Sequence, residues 1–157
     1  MVITPGCRPA YVVNVEVFLH DGERWLLIKR SEQEAHAPGI LAGPGGKVEA
    51  GGADPVVDVL EHTAVREALE EVGVDLSGIR LSYVESAYFR TDDGDPCVNV
   101  ALAATMPGAA HPYAASADEV AGVCWLTLPE AVADPHCPPW TRRALRKAER
   151  LRIDDRL

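Results

Sequence analysis

The sequence predicts an α+β fold, an α/β/α sandwich with a mixed sheet between helices. Three observations carry this: strand-like alternation recurs along the chain, one long helical segment interrupts it, and two further helical segments lie near the end. An all-helical bundle is excluded by the same pattern.

The elements follow in order. Val13, Val15, Val17 and Leu19 alternate with Asn14, Glu16 and Phe18, which is strand periodicity. Asp21-Gly22 is a turn signal, and Trp25 to Arg30 forms the second strand of a hairpin. Ser31 to Gly46 is rich in Pro and Gly and is expected to be loop, with Lys47 to Glu49 leaving it as a short strand. A helix is expected from His62 to Val72, closed by Gly73 as C-cap residue. Leu81–Arg90 and Cys97–Thr105 are strands flanking the turn-rich Thr91–Pro96, an antiparallel hairpin. Met106 to Ala117 is loop and Ala121 to Leu126 another strand. Thr127 caps a short helix, with Pro129 in its first turn and Glu130 three residues on. Pro138-Pro139 precedes a last helix from Trp140 to Leu151, whose Arg142, Arg143, Arg146 and Lys147 make a basic face expected to be solvated.

The 157 residues fit one domain spanning 1–157. A net charge of −9 repels a polyanion, so no nucleic-acid duplex is expected as a partner. A small phosphorylated ligand remains compatible, because a bound cation inverts the local charge. Cys7, Cys97, Cys124 and Cys137 show neither CxxC nor zinc-finger spacing and are expected to be reduced thiols. The N-terminal apolar stretch, Tyr11 to Leu19, carries Asn14 and Glu16 and is too short to span a membrane. The expectation is a cytoplasmic protein without a membrane partner; monomer and homodimer are both left open.

The chemistry is concentrated in Arg66-Glu67-Ala68-Leu69-Glu70-Glu71-Val72-Gly73-Val74. At about 100° per residue, Glu67, Glu70 and Glu71 share one helical stripe, roughly 130° from the mean direction of Ala64, Val65, Ala68, Leu69 and Val72. Like charges at this spacing cost a few tenths of a kcal/mol per pair. A hard cation, Mg²⁺ or Mn²⁺, would offset that repulsion. Taken alone, the same acids are more readily an ordinary solvated face. The preceding Pro44-Gly45-Gly46-Lys47-Val48-Glu49 changes the balance, since two glycines let backbone approach a ligand closely.

Together the glycine loop and the acidic helix resemble the Nudix box: a Gly, five residues, a Glu, seven residues, then Arg-Glu-aliphatic-x-Glu-Glu-x-Gly-aliphatic. Arg66 to Val74 match residue by residue, and Gly46 matches the Gly. Weaker similarity extends over the opening hairpin, the PGGKVE loop, and Glu119 ahead of Val123-Cys124-Trp125-Leu126. The resemblance implies the Nudix fold and hydrolysis of a nucleoside diphosphate linked to another moiety. It implies a small nucleotide-type substrate, with Glu67, Glu70 and Glu71 as Mg²⁺ or Mn²⁺ ligands, one doubling as general base. It further implies the Gly46 carbonyl as a ligand, Arg66 as the residue orienting a carboxylate, and Glu119 as an extra acid. Glu49 would assist metal or phosphate binding, and Gly45 and His36 would stand beside the substrate.

The chain departs from the pattern at one place. Five residues after Gly46 comes Gly52, eight before Arg66 comes Asp58, and the span is six residues longer than the pattern. A straight helix from Pro55 would project Val56 and Leu60 near the Glu stripe. A break or change of direction near Asp58–Glu61 is therefore expected, with Asp54-Pro55 capping a separate turn. Asp58 is the candidate carboxylate for Arg66, one methylene shorter than Glu. An alternative function is a catalytically weak or inactive Nudix-fold module that binds nucleotide or protein; a further one is a structural domain with a solvated acidic helix. Of the remaining residues, His36 is also readable as an ordinary loop histidine. Asp92, Asp93 and Asp95 are expected at a solvated hairpin tip. Tyr88, Phe89 and Trp125 are expected in packing rather than on a base.

Overall fold

A computed structural model describes residues 10–49 and 54–157; Cys7 and Gly52, at the displaced Glu position, lie outside them. The strands are β1 Val12–Asp21, β2 Arg24–Arg30, β3 Leu41–Ala42, β4 Gly45–Lys47, β5 Ser82–Arg90, β6 Pro96–Thr105 and β7 Val120–Thr127. The helices are α1 Val59–Val72, α2 Leu128–Ala133 and α3 Pro139–Ile153. None of the described helices is long and apolar enough to cross a membrane.

The sheet is mixed, as expected: β1 runs parallel to β6 from Val12↔Cys97 to His20↔Thr105, and the other pairings are antiparallel. Both faces are covered, which explains why β1 and β2 are apolar on both sides. Val15, Val17, Leu19, Leu26 and Ile28 pack with Ala64, Ala68 and Val72 of α1. Phe18, Trp25 and Leu27 pack on the opposite face with Ala131 of α2 and Ala144, Leu145 and Ala148 of α3.

One irregularity of this sheet positions the site. β1 and β2 pair only near their hairpin, from Leu19↔Leu26 to Asp21↔Arg24, and then part. The segment from 41 to 47 fills the gap, β3 pairing with β2 and β4 with β1. The expected loop from Ser31 to Gly46 therefore contains two short strands, and the strand expected over Lys47–Glu49 begins at Gly45. Both lack alternation because their partners are remote in sequence.

The helices correct the expectations in detail. α1 starts three residues before His62, on Asp58, whose left-handed φ of 52° turns the chain. The expected change of direction is thus at Asp58, but residues 54–58 form bends with no helical turn for Asp54-Pro55 to cap. Gly73 ends α1 with φ 68°, its N–H donating to Leu69 O at 3.1 Å while that of Val74 reaches Ala68 O at 3.1 Å. Leu69, expected on the buried side, is 52% exposed. At α2 the expected capping box forms, Thr127 Oγ1 accepting from the Glu130 N–H and Glu130 accepting from the Thr127 N–H. Most of the basic face on α3 is engaged: Arg143 and Lys147 both pair with Glu85 of β5, at 2.9 and 2.7 Å, and Arg142 Nη2 donates to Asp134 O at 2.9 Å. Cys97, Cys124 and Cys137 are free thiols.

Candidate active site

Where β1 and β2 part, a cleft of about 920 Å³ opens between α1, the 31–47 segment, the β5–β6 hairpin and the start of α3. Of the residues singled out from the sequence for chemistry, His36, Gly45, Gly46, Glu49, Arg66, Glu67, Glu70, Glu71 and Glu119 line it, and Asp58 does not.

The two glycines are required by close approach. A Cβ on Gly45 would collide with the Val15 carbonyl, and one on Gly46 with the Glu67 carboxylate. With only hydrogen there, β4 lies flat on β1 and α1 packs over it. The Gly45 N–H then donates to Glu71 Oε2 at 2.9 Å. Glu67 and Glu71 are both buried, whereas Glu70 is 55% exposed at its side chain. Arg66 spans them, with Nη2 2.8 Å from Glu67 Oε1 and Nη1 3.0 Å from Glu70 Oε2. Its Nη2 also donates to Lys47 O at 3.0 Å. Asp58 is not among these contacts, so the expected brace is replaced by the Lys47 carbonyl and by the field of Glu49.

The Glu71 carboxyl is pushed up to about 8, chiefly by burial and also by Glu67 and Glu119, against the pull of the Gly45 N–H and Arg30. Burial also raises Glu67, with Glu70 and Glu119 adding to it and Arg66 opposing. Glu119 is presented by the turn before β7, its Oε2 accepting from Ser116 Oγ at 2.8 Å while its carbonyl accepts from the Ser31 N–H at 2.8 Å. Such a cluster of oxygen donors raising one another's pKa has the chemistry of a hard-cation site. In the side-chain positions shown, Gly45 and Arg66 engage these oxygens, and no three acidic, His or Cys side chains among the described residues come together closely enough to hold a metal ion.

The rest of the cleft was largely missed from sequence. Glu16 is buried in its wall, accepting from the Gly43 N–H at 2.8 Å and from Asn99 Nδ2 at 3.3 Å. Asn14 Nδ2 donates to Asn99 Oδ1 at 2.7 Å across the parallel pair. Burial raises the Glu16 carboxyl above its ordinary range. The only sequence signal was polar residues at alternating positions of an otherwise apolar strand. Tyr88 and Phe89, expected in packing, line the cleft instead, while Trp125 packs against the core as expected. His36 stacks on Phe89 with ring centroids 5.6 Å apart, and its Nδ1 lies 3.2 Å from Asp92 Oδ2. Asp92, Asp93 and Asp95 are exposed at the hairpin tip, as expected, and Asp92 also ties that tip to the 31–40 loop.

Known proteins share this arrangement. A family model described as NUDIX domain matches residues 10–148. The chain is 34% identical over 141 residues to the uncharacterized Nudix hydrolase YfcD of Shigella flexneri, a match covering 88% of this chain and 68% of that protein. In fold it is similar to the MutT protein from Methanosarcina mazei Go1, with TM-score 0.73 and 18% identity over 94% of this chain and 99% of that one. It is also similar to the NUDIX domain of Shewanella oneidensis NrtR complexed with ADP ribose, with TM-score 0.68 and 23% identity over 95% and 94% of the two chains. The match across 10–148 and the hydrolase relatives favour an enzyme over a binding module: this chain belongs to the Nudix hydrolase family and acts on pyrophosphate bonds.

Proposed function

We propose that the protein hydrolyses the phosphoanhydride bond of a nucleoside diphosphate linked to another moiety, a nucleoside triphosphate or similar nucleotide, with Mg²⁺ or Mn²⁺. The observation that carries this is the seating of Glu67 and Glu71 against Gly45 and Gly46, two acids buried beside backbone with Glu119 near enough to raise both. That a Nudix domain of the same fold is found complexed with ADP ribose supports a nucleotide-type ligand.

Glu67, Glu70 and Glu71, with the Gly46 carbonyl, would hold the metal, which supplies neutralisation of phosphate charge and a lowered pKa for the attacking water. The Gly45 N–H orients Glu71, and Arg66 orients Glu67 and Glu70. Water adds to one phosphorus, the bridging P–O bond breaks, and one of the acids, Glu119 included, accepts the water's proton. Gly45, Glu49 and His36 stand where the remainder of the substrate would lie.

The test is a panel of NTPs, dNTPs, ADP-ribose, nucleotide sugars and dinucleoside polyphosphates, assayed with Mg²⁺ or Mn²⁺. Cleavage of at least one compound is expected, with Glu71→Gln and Glu70→Gln strongly impaired. No cleavage anywhere in the panel, with both variants indistinguishable from wild type in metal binding, would sink the reading.

A further inference from the structure

Polar side chains gather on the side of the sheet away from α1. Val15 and Val17 of β1 pack with α1, while Phe18 packs with α3. Successive strand residues face opposite ways, so Asn14 and Glu16 share the α3 side with Phe18. Asn99 pairs with Asn14 across the parallel ladder and shares that side with Ala101 and Ala103. Asn14, Glu16 and Asn99 all line the cleft. One cleft thus joins Glu67 and Glu71, carried by α1, to a polar chamber on the opposite side of the sheet. The two are adjacent, since Glu16 lies opposite Gly45 in register and the Gly45 N–H holds Glu71.

Glu16 is only 9% exposed, yet two protein groups donate to it, the Gly43 N–H and Asn99 Nδ2. An ionised carboxylate has about four acceptor sites. No Lys or Arg among the described residues pairs with it, whereas Glu85, the other carboxylate on this side, is held by both Arg143 and Lys147. Asn14 spends an N–H on Asn99 Oδ1, and its own Oδ1 has no donor among the described residues. The Gly43 contact explains one oxygen of Glu16 as an anchor for the 41–47 segment. It does not explain the asparagine pair. Apolar side chains would fill a merely structural wall without the cost of desolvating a carboxylate. What remains is a buried surface rich in acceptors, and its complement is a ligand group that donates: the amino N–H of a base or the hydroxyl of a sugar.

We propose that Glu16, held in place by Asn99, is the specificity-determining residue of this cleft, accepting a hydrogen bond from a donor group on the moiety that the diphosphate carries. This rests on the hydrolytic reading above and adds the feature by which one nucleotide is told from another. If Glu16 served only to anchor Gly43, Glu16→Gln would be silent, because the amide oxygen keeps that contact, or would loosen the cleft for every ligand alike. If Glu16 reads a donor, the same change presents N–H where an oxygen stood. Only ligands that carry the moiety are then affected.

The experiment is calorimetric titration of the full chain in magnesium buffer with inorganic phosphate, ribose 5-phosphate, AMP, CMP, GMP, IMP and UMP. None of these has an anhydride bond, so binding is read without turnover. At least one compound is expected to bind wild type about tenfold more tightly than inorganic phosphate. An amino donor would make CMP exceed UMP, or AMP or GMP exceed IMP, by about tenfold. A sugar hydroxyl would let ribose 5-phosphate carry the advantage by itself. Glu16→Gln is expected to weaken the preferred compound at least about tenfold while inorganic phosphate stays within about threefold. Asn99→Ala, which frees the Glu16 carboxylate, and Asn14→Ala are each expected to weaken the preferred compound about threefold, and they carry the test should Glu16→Gln fail to fold. The proposal is overturned if no compound outbinds inorganic phosphate, if these variants keep the wild-type preference, or if they weaken inorganic phosphate as much as the preferred compound. Glu16-dependent binding without turnover of any panel compound would break the hydrolytic reading alone. Turnover with binding indifferent to Glu16 would break this proposal alone.

Discussion

The α-carbon of Gly46 lies so close to Glu67 that a methyl group placed on it would overlap the carboxylate. Gly46→Ala must therefore push either β4 off β1 or Glu67 out of its seat. Displacements on the scale of about 1 Å cost on the order of 10²-fold in rate. The variant is expected to lose turnover to that extent while retaining the far-ultraviolet circular dichroism of the fold. Wild-type kinetics in Gly46→Ala would show that Glu67 need not stay where it is.

Glu71 gives the metal-free protein a pH-dependent weakness. Its folded pKa, about 8, lies above the ordinary 4.5, so the folded state binds the extra proton. Stability is then greatest below the unfolded value and declines as pH rises toward 8. In chelator, the thermal midpoint should fall from pH 5 to pH 8 less steeply in Glu71→Gln than in wild type. Millimolar Mn²⁺ should flatten the wild-type curve, since the cation replaces the proton. Identical slopes in wild type and variant would contradict the burial of this acid.

Glu85 behaves in the opposite sense. Burial acts to raise it, but hydrogen bonds from Arg143 and Lys147 outweigh that and hold it below the ordinary 4.5. Its contribution is present above the unfolded value and is lost as pH falls through the folded one. Both cations are partly solvated, so the contribution is on the order of 1 kcal/mol. Glu85→Gln should lower the thermal midpoint by about 3 °C at pH 7. The difference from wild type should shrink as pH falls below 4.5 and through the lowered folded value. A gap that persists at low pH would mean that packing, not charge, sets the effect.

Asp58 turns the chain rather than bracing Arg66. Asp58→Asn keeps a residue tolerant of the left-handed region and should change stability by less than about 0.5 kcal/mol, with turnover unchanged. Asp58→Val should cost about 1–2 kcal/mol, because a β-branched side chain is strained at φ 52°. A large kinetic loss in Asp58→Asn would restore it as the missing carboxylate; chemical denaturation and steady-state kinetics decide between the two.

What could be anticipated from sequence follows a physical division. Gly73 and the Thr127–Glu130 box act within a few residues, so their helix ends were legible directly. The hairpin strands β1–β2 and β5–β6 were legible from alternation and turn residues between them. β3 and β4 were not, because two- and three-residue strands exist only through their partners in β2 and β1. The acids on α1 could be placed on one stripe by rotation alone, but rotation does not tell that Glu70 faces solvent while Glu67 and Glu71 are covered by the glycines. Leu69 was misassigned for the same reason: the width of a buried stripe is decided by the neighbouring element.

The parallel ladder joining residues 12–20 to 97–105 has a bearing on how this protein comes into being. Its paired residues are separated by 85 positions, and contacts so distant pay their loop-closure entropy before any reward arrives. A chain still emerging from the ribosome carries its acidic helix well before the strand that supports the bed of the cleft. Until that strand docks, β1 exposes an unpaired apolar border, the sort of surface that invites aggregation. The catalyst is thus assembled only after β6 has been made, and a chain interrupted before residue 105 would carry the signature motif without a place to use it.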